Sequence, residues 1–131
     1  MTITKKDLFM RRIVSIEGLT KDSEKVTLTF ENGDYIEQYH HQDCCESVTV
    51  AQVDGNVEKH IGATILEIQE KVLGKDGLSD NQLPEYCESL TATFYTMKTS
   101  KGYLDWRWYG ESNGYYSESV ECELKTRNKN E

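Results

Sequence analysis

A chain of 131 residues suits one domain, long enough to bury a core but too short for two independent ones. With 37% hydrophobic and 29% charged residues, and no apolar run near the ~20 residues a membrane helix needs, the composition excludes a helical membrane protein. The formal charge of -8 is concentrated between Val26 and Glu58, where Glu31, Asp34, Glu37, Asp43, Glu46, Asp54 and Glu58 occur without any Lys or Arg, and a field of that sign argues against direct binding of nucleic acid through that face.

The N-terminal stretch "MTITKKDLFMRRIVSIEG" carries charges where a signal peptide has its apolar segment. The expectation is an intracellular protein whose cysteines, Cys44, Cys45, Cys87 and Cys122, remain thiols. A bridge between the neighbours Cys44 and Cys45 would also be strained. Residues Arg11 to Ile16 and Lys25 to Phe30 alternate as strands do, and "KVTLTF" sets Val26, Leu28 and Phe30 against Thr27 and Thr29. "ENGD" is a hairpin signal because Asn32 and Gly33 tolerate positive φ. The return strand "DYIEQYHH" sets Tyr35, Glu37 and Tyr39 against Ile36, Gln38 and His40.

A third run, "SVTVAQVD", alternates Val48, Val50 and Gln52 against Thr49, Ala51 and Val53, and stops at Asp54-Gly55. One helical turn is expected over 56–61. For residues 62–73, Ile65, Leu66, Ile68, Val72 and Leu73 fit an amphipathic helix about as well as a strand, so both readings stand. Residues 74–87 hold two glycines and the single proline, Pro84, and read as a surface loop. That loop separates a first β half, 11–73, from a second, 88–125. In the second half "SLTATFYTM" and "YLDWRWYG" pair across the "KTSKG" turn, a further Asn-Gly turn follows, "SVECELK" closes the fold, and residues 126–131 form a frayed tail. The sum is a single, mainly antiparallel β (α+β) domain of about seven strands with at most one or two short helices.

Two stretches carry the chemistry. In "YHHQDCCESV", residues 39–48, His40 with Cys44 or His41 with Cys45 makes at most one metal-binding pair, and the rest would have to come from Cys87, Cys122 or His60. Neighbouring cysteines in extended chain point to opposite sides, so His40 and Cys44 are weak metal candidates and no metal or cofactor is expected. A thiol nucleophile is opposed by the flanking carboxylates of Asp43 and Glu46. In "DWRWYGESNGYYSES", residues 105–119, Arg107 is the one cation between Gly102 and Leu124 and shares a strand face with Asp105 and Tyr109. Together with Asn113, Tyr115, Tyr116 and Glu118 it suits a carboxylate, a phosphate or a flat ring, unless it pairs internally with Asp105 or Glu118. If the two stretches face each other, His41, Asp43, Glu46, Arg107, Asn113 and Tyr116 form one polar cluster, either a pocket or a sealed network.

Those stretches, with "YTMKTSKG" between them, also resemble a family of small proteins encoded by tailed bacteriophages and prophages, whose members carry HxxDCCE and RWYGxSNGYYSE motifs. The resemblance spans roughly residues 11–124 and implies a phage-encoded accessory protein in the bacterial cytoplasm. It implies no catalytic residue. The leading expectation is a non-enzymatic protein that binds a host target with a basic surface through the acidic face of Glu31, Asp34 and Glu37, inhibiting a bacterial defence system. A small-ligand binder for a nucleotide-type signal, using Arg107, Tyr109, Asn113 and Tyr116, is the alternative. An enzyme centred on His40, His41, Asp43 and Cys44 is the third. Direct nucleic-acid or membrane binding is not expected, and "ATFYTM" leaves self-association through a strand edge open.

Overall fold

In the computed structural model, which describes residues 10–42, 45–74, 89–112 and 117–125, side-chain alternation produces two four-stranded antiparallel sheets. The first sheet runs in the order β1-β2-β3-β8, with β1 at Ile13–Glu17, β2 at Lys25–Phe30, β3 at Tyr35–Tyr39 and β8 at Glu121–Lys125. The second runs β4-β7-β6-β5, with β4 at Ser47–Asp54, β5 at Ile65–Gly74, β6 at Ser89–Thr99 and β7 at Gly102–Ser112. One short 3-10 helix, Val57–His60, is capped by the Asn56 side chain. The mainly antiparallel β expectation holds, with eight strands among the described residues.

The added strand is β5, which settles the ambiguity over 62–73. Nine of the ten residues of β5 pair with β6, and a bulge between Ile65 and Glu67 absorbs the irregular spacing of the apolar residues that imitates a helix. The β2–β3 hairpin forms as the sequence indicates, although only Gly33 takes positive φ, at 94°. Asn32 contributes instead by its side chain, accepting from the Asp34 amide at 3.0 Å.

Between the sheets, Ile13, Val26, Leu28, Phe30 and Ile36 of the first meet Val48, Val50, Ile65, Tyr95, Met97, Leu104, Trp106 and Trp108 of the second in one core. Burying a large apolar side chain contributes roughly 1.5–3 kcal/mol. One buried amide also crosses the gap: Gln38 Oε1 accepts from Trp106 Nε1 at 2.9 Å and from Trp108 Nε1 at 3.3 Å. Leu90 and Ala92 lie outside this core, in a smaller cluster with Leu73, Phe94 and Tyr109 on the outer face of the second sheet.

Two backbone seams join the sheets. Around the start of β1, Met10 N donates to Ile65 O at 2.7 Å, Ile65 N to Arg11 O at 2.8 Å and Ile13 N to Ala63 O at 2.9 Å. On the other side, the loop before β2 docks on β4, with Asp22 N donating to Val50 O and Val50 N to Ser23 O. The β4 ladder to β7 is bulged there, between Val50 and Gln52. The extra residue reverses the alternation that the sequence suggests, so Val53 packs against the core while Gln52 points outward beside Arg107.

Candidate functional site

The two chemistry-bearing stretches do come together, at the end of the sandwich where β7 finishes. Ser47 and Val48 pair with Glu111 and Gly110, and His40 bonds across to Ser119, so residues 40–42 and 45–48 lie alongside residues 110–112 and 117–119. There His40, just past β3, hydrogen-bonds Ser119 O through Nδ1 and Glu46 Oε2 through Nε2, each at 2.7 Å. The two side chains are 3% and 0% exposed. A carbonyl oxygen only accepts, so Nδ1 carries a proton, and Nε2 either donates to an ionised Glu46 or accepts from a protonated one. Both ring nitrogens are thus occupied in tying the 117–120 segment and the approach to β4 to the end of β3.

A second buried carboxylate lies in the same region. Glu118 accepts from Thr91 Oγ1 at 2.8 Å and from Ser112 Oγ. Its backbone crosses so close to β7 that a Cβ on Gly110 would lie 2.7 Å from Glu118 O and 2.8 Å from Glu118 Cβ. Glycine is therefore a steric requirement at 110. Among the described residues every buried side-chain nitrogen or oxygen has a partner.

The sequence-predicted residues divide between inside and outside. Glu46 and Glu118 are buried in the network, His41 is exposed, and Asp43, Cys44, Asn113 and Tyr116 lie outside the described residues. Arg107 does not join Glu46. Its strand parity places it on the outer face of the second sheet, where it donates to Gln52 Oε1 and stacks 5.8 Å from the Phe94 ring centre and 5.5 Å from that of Tyr109. The cross-strand neighbours Gln52 and Phe94 hold it, rather than Asp105 or Glu118.

The expected acidic face is partly neutralised. Asp34 pairs with Arg11 at 3.0 Å, and Glu37 sits between Lys25 at 3.3 Å and Lys125 at 2.8 Å, while Glu31 is exposed. The Lys125 ammonium, against some desolvation and with help from Lys25, holds the Glu37 carboxyl below its usual range. The register instead shows an acidic row. Glu17 lies opposite Thr27, Thr27 opposite Glu37 and Glu37 opposite Glu123, all on the outer face of the first sheet. Glu121 is opposite Tyr39 beside it. Glu17 and the β8 carboxylates lie beyond the cation-free stretch, so composition could not point to them.

Cys45 is disulfide-bonded, whereas Cys122 is free. This corrects the expectation of four thiols, because the fold, not the compartment argument, determines which sulfurs meet. Cys122 receives a hydrogen bond from Gln38 Nε2 at 3.6 Å, and burial pushes its thiol up to about 11. Such a thiol is protonated at neutral pH and a poor nucleophile. Among the described residues no three His, Cys, Asp or Glu side chains converge on a metal position, and no helix is long and apolar enough to cross a membrane.

His60, which the sequence offers only as a distant metal ligand, is buried at the opposite end of β7 and bonds Thr99 Oγ1 through Nδ1 at 2.7 Å. Burial first, then Lys59 and Lys101, lower its pKa against the opposing effect of a Tyr103 backbone hydrogen bond. The family model for DUF7448, a domain of unknown function, matches residues 6–122. No curated protein and no solved structure matches the chain.

Proposed function

The chain belongs to the DUF7448 family, and we propose that it is a non-enzymatic, phage-encoded accessory protein that acts in the bacterial cytoplasm by docking on a host protein. The target on this reading is a component of a bacterial defence system with a basic surface. The observation that carries the proposal is the acidic row Glu17, Glu37 and Glu123, with Glu121 beside it, on a sheet face that also presents Tyr35 and Tyr39. Four carboxylates face the two ammonium groups of Lys25 and Lys125 there. A sheet face of carboxylates and phenols complements a basic groove, giving steered association and hydrogen bonds at contact. The site chemistry agrees with this division of labour: His40, Glu46 and Glu118 are engaged in the interior, which leaves recognition to the outer faces.

The test is affinity capture from host lysate with the native protein and with an E17Q/E121Q/E123Q variant, whose fold is checked by circular dichroism. A discrete partner that is retained by the native chain, released by raised salt and lost by the variant is expected. Equal retention by both proteins would remove the acidic face from the mechanism.

A further inference from the structure

At the end of the molecule away from the His40 network, two loops exchange lysines. A Cβ placed on Gly102 would lie 3.5 Å from Lys59 Nζ, and one placed on Gly62 would lie 3.8 Å from Lys101 Nζ. Each ammonium therefore rests over the glycine of the opposite loop, and both glycines have positive φ, 125° and 92°. Arg12 closes the third side, its Nε donating to Gly62 O at 3.2 Å. The loops are held in place from beneath: Ser100 N donates to Thr64 O at 2.9 Å, Thr64 N to Ser100 Oγ at 3.1 Å, and Lys101 N to Thr99 Oγ1 at 3.1 Å.

This corner is unusual in a chain of charge -8. Among the described residues no carboxylate lies within ion-pair distance of Arg12, Lys59 or Lys101. Arg11, Lys25 and Lys125 are paired, while Lys21, Lys71, Lys98 and Arg107 also lack a carboxylate partner among the described residues, so it is the gathering of three such cations that marks this corner. Two ammonium groups and a guanidinium gathered without a counter-charge repel one another, and the arrangement is relieved by an anion seated between them. We infer that Arg12, Lys59 and Lys101 form a binding site for a small molecule carrying one or two phosphate groups.

The size of the ligand follows from the surroundings. The cations occupy one corner rather than a track, and Asp54 and Asp105, paired across β4 and β7, put carboxylates on the second sheet that would repel a nucleic-acid strand running along it. Tyr103, next after Gly102 and 60% exposed, has the Lys98 ammonium 6.0 Å from its ring centre on one face and offers the other to a nucleotide base. This site is independent of the acidic row, and its failure would leave that proposal untouched.

Titration of isotope-labelled protein with pyrophosphate, and separately with ADP, followed by amide chemical shifts, tests the site. Saturable shifts confined to residues 59–62 and 99–103 are expected, and tighter binding of ADP than of pyrophosphate assigns a base contact to Tyr103, while equal binding assigns the site to phosphate alone. K59Q/K101Q should weaken binding by roughly tenfold for each lysine removed. The K21Q/K71Q variant, which loses the same charge elsewhere, should keep the native affinity. Equal weakening in both variants, shifts spread over the basic residues at large, no saturable shift with either probe, or a response only to a single-stranded oligonucleotide would each overturn the inference.

Discussion

Gly110 shows how one missing side chain can position a buried carboxylate. The backbone of Glu118 occupies the space where a β-carbon would be, so Gly110→Ala must push β7 and the 117–120 segment apart. The expected cost is about 1–3 kcal/mol, read as a lower denaturation midpoint with an unchanged slope. Gln38 is the converse case, a polar side chain in a dry place because two indoles require an acceptor. Gln38→Leu fills the same space but strands both N–H groups, and urea denaturation should show a loss of roughly 1–3 kcal/mol for each. Neither role was legible in the chain. Gln38 appeared correctly on the Ile36 face of its strand, yet nothing in its own neighbourhood says that Trp106 and Trp108 lie across the gap, 68 and 70 positions away.

Strands were more legible than the contacts between them. Alternation located β2, β3, β6 and β7 because each buries one face, and the period of two reports that burial directly. It failed where pairing is irregular. The bulge at Ala51 moved Gln52 outward, so Arg107 found an amide where a carboxylate had been expected, and the bulge after Ile65 disguised β5 as a helix. The sequence sets "HHQDCCE" against "RWYGESNGYYSE", and where their described parts meet, the chemistry is carried by His40, Glu46 and Ser119 rather than by His41 and Arg107. Because that contact joins β3 to the segment before β8 and to the start of β4, it should behave as a latch. Glu46→Ala is expected to destabilise by roughly 1–5 kcal/mol, depending on whether the pair is ionised. Its earliest sign would be faster amide exchange in residues 117–120, with β6 and β7 still protected.

At the level of the whole molecule, stability should fall in two separate steps as pH is lowered. Folded His60 takes up its proton below its ordinary value of 6.5, so beneath that pH the unfolded chain binds more protons, and stability present above it is lost as pH descends toward the lowered value. Glu37 acts in a lower window. Its depressed carboxyl contributes stability above its ordinary value of 4.5, which disappears as pH falls through the folded value. Melting temperatures across this range should show the upper step removed in His60→Gln and the lower one reduced in Lys125→Met. A single step shared by all three proteins would show that neither group governs acid stability.

The chain has two tryptophans, and both direct their indole nitrogens at the same amide on the facing sheet. Intrinsic fluorescence is therefore an optical gauge of sheet separation: water entering that gap replaces Gln38 as the indoles' acceptor and reddens the emission, while events confined to the outer faces leave the colour unchanged. A ligand or partner that alters the spectrum has pried the layers apart, and one that does not has settled on the outside.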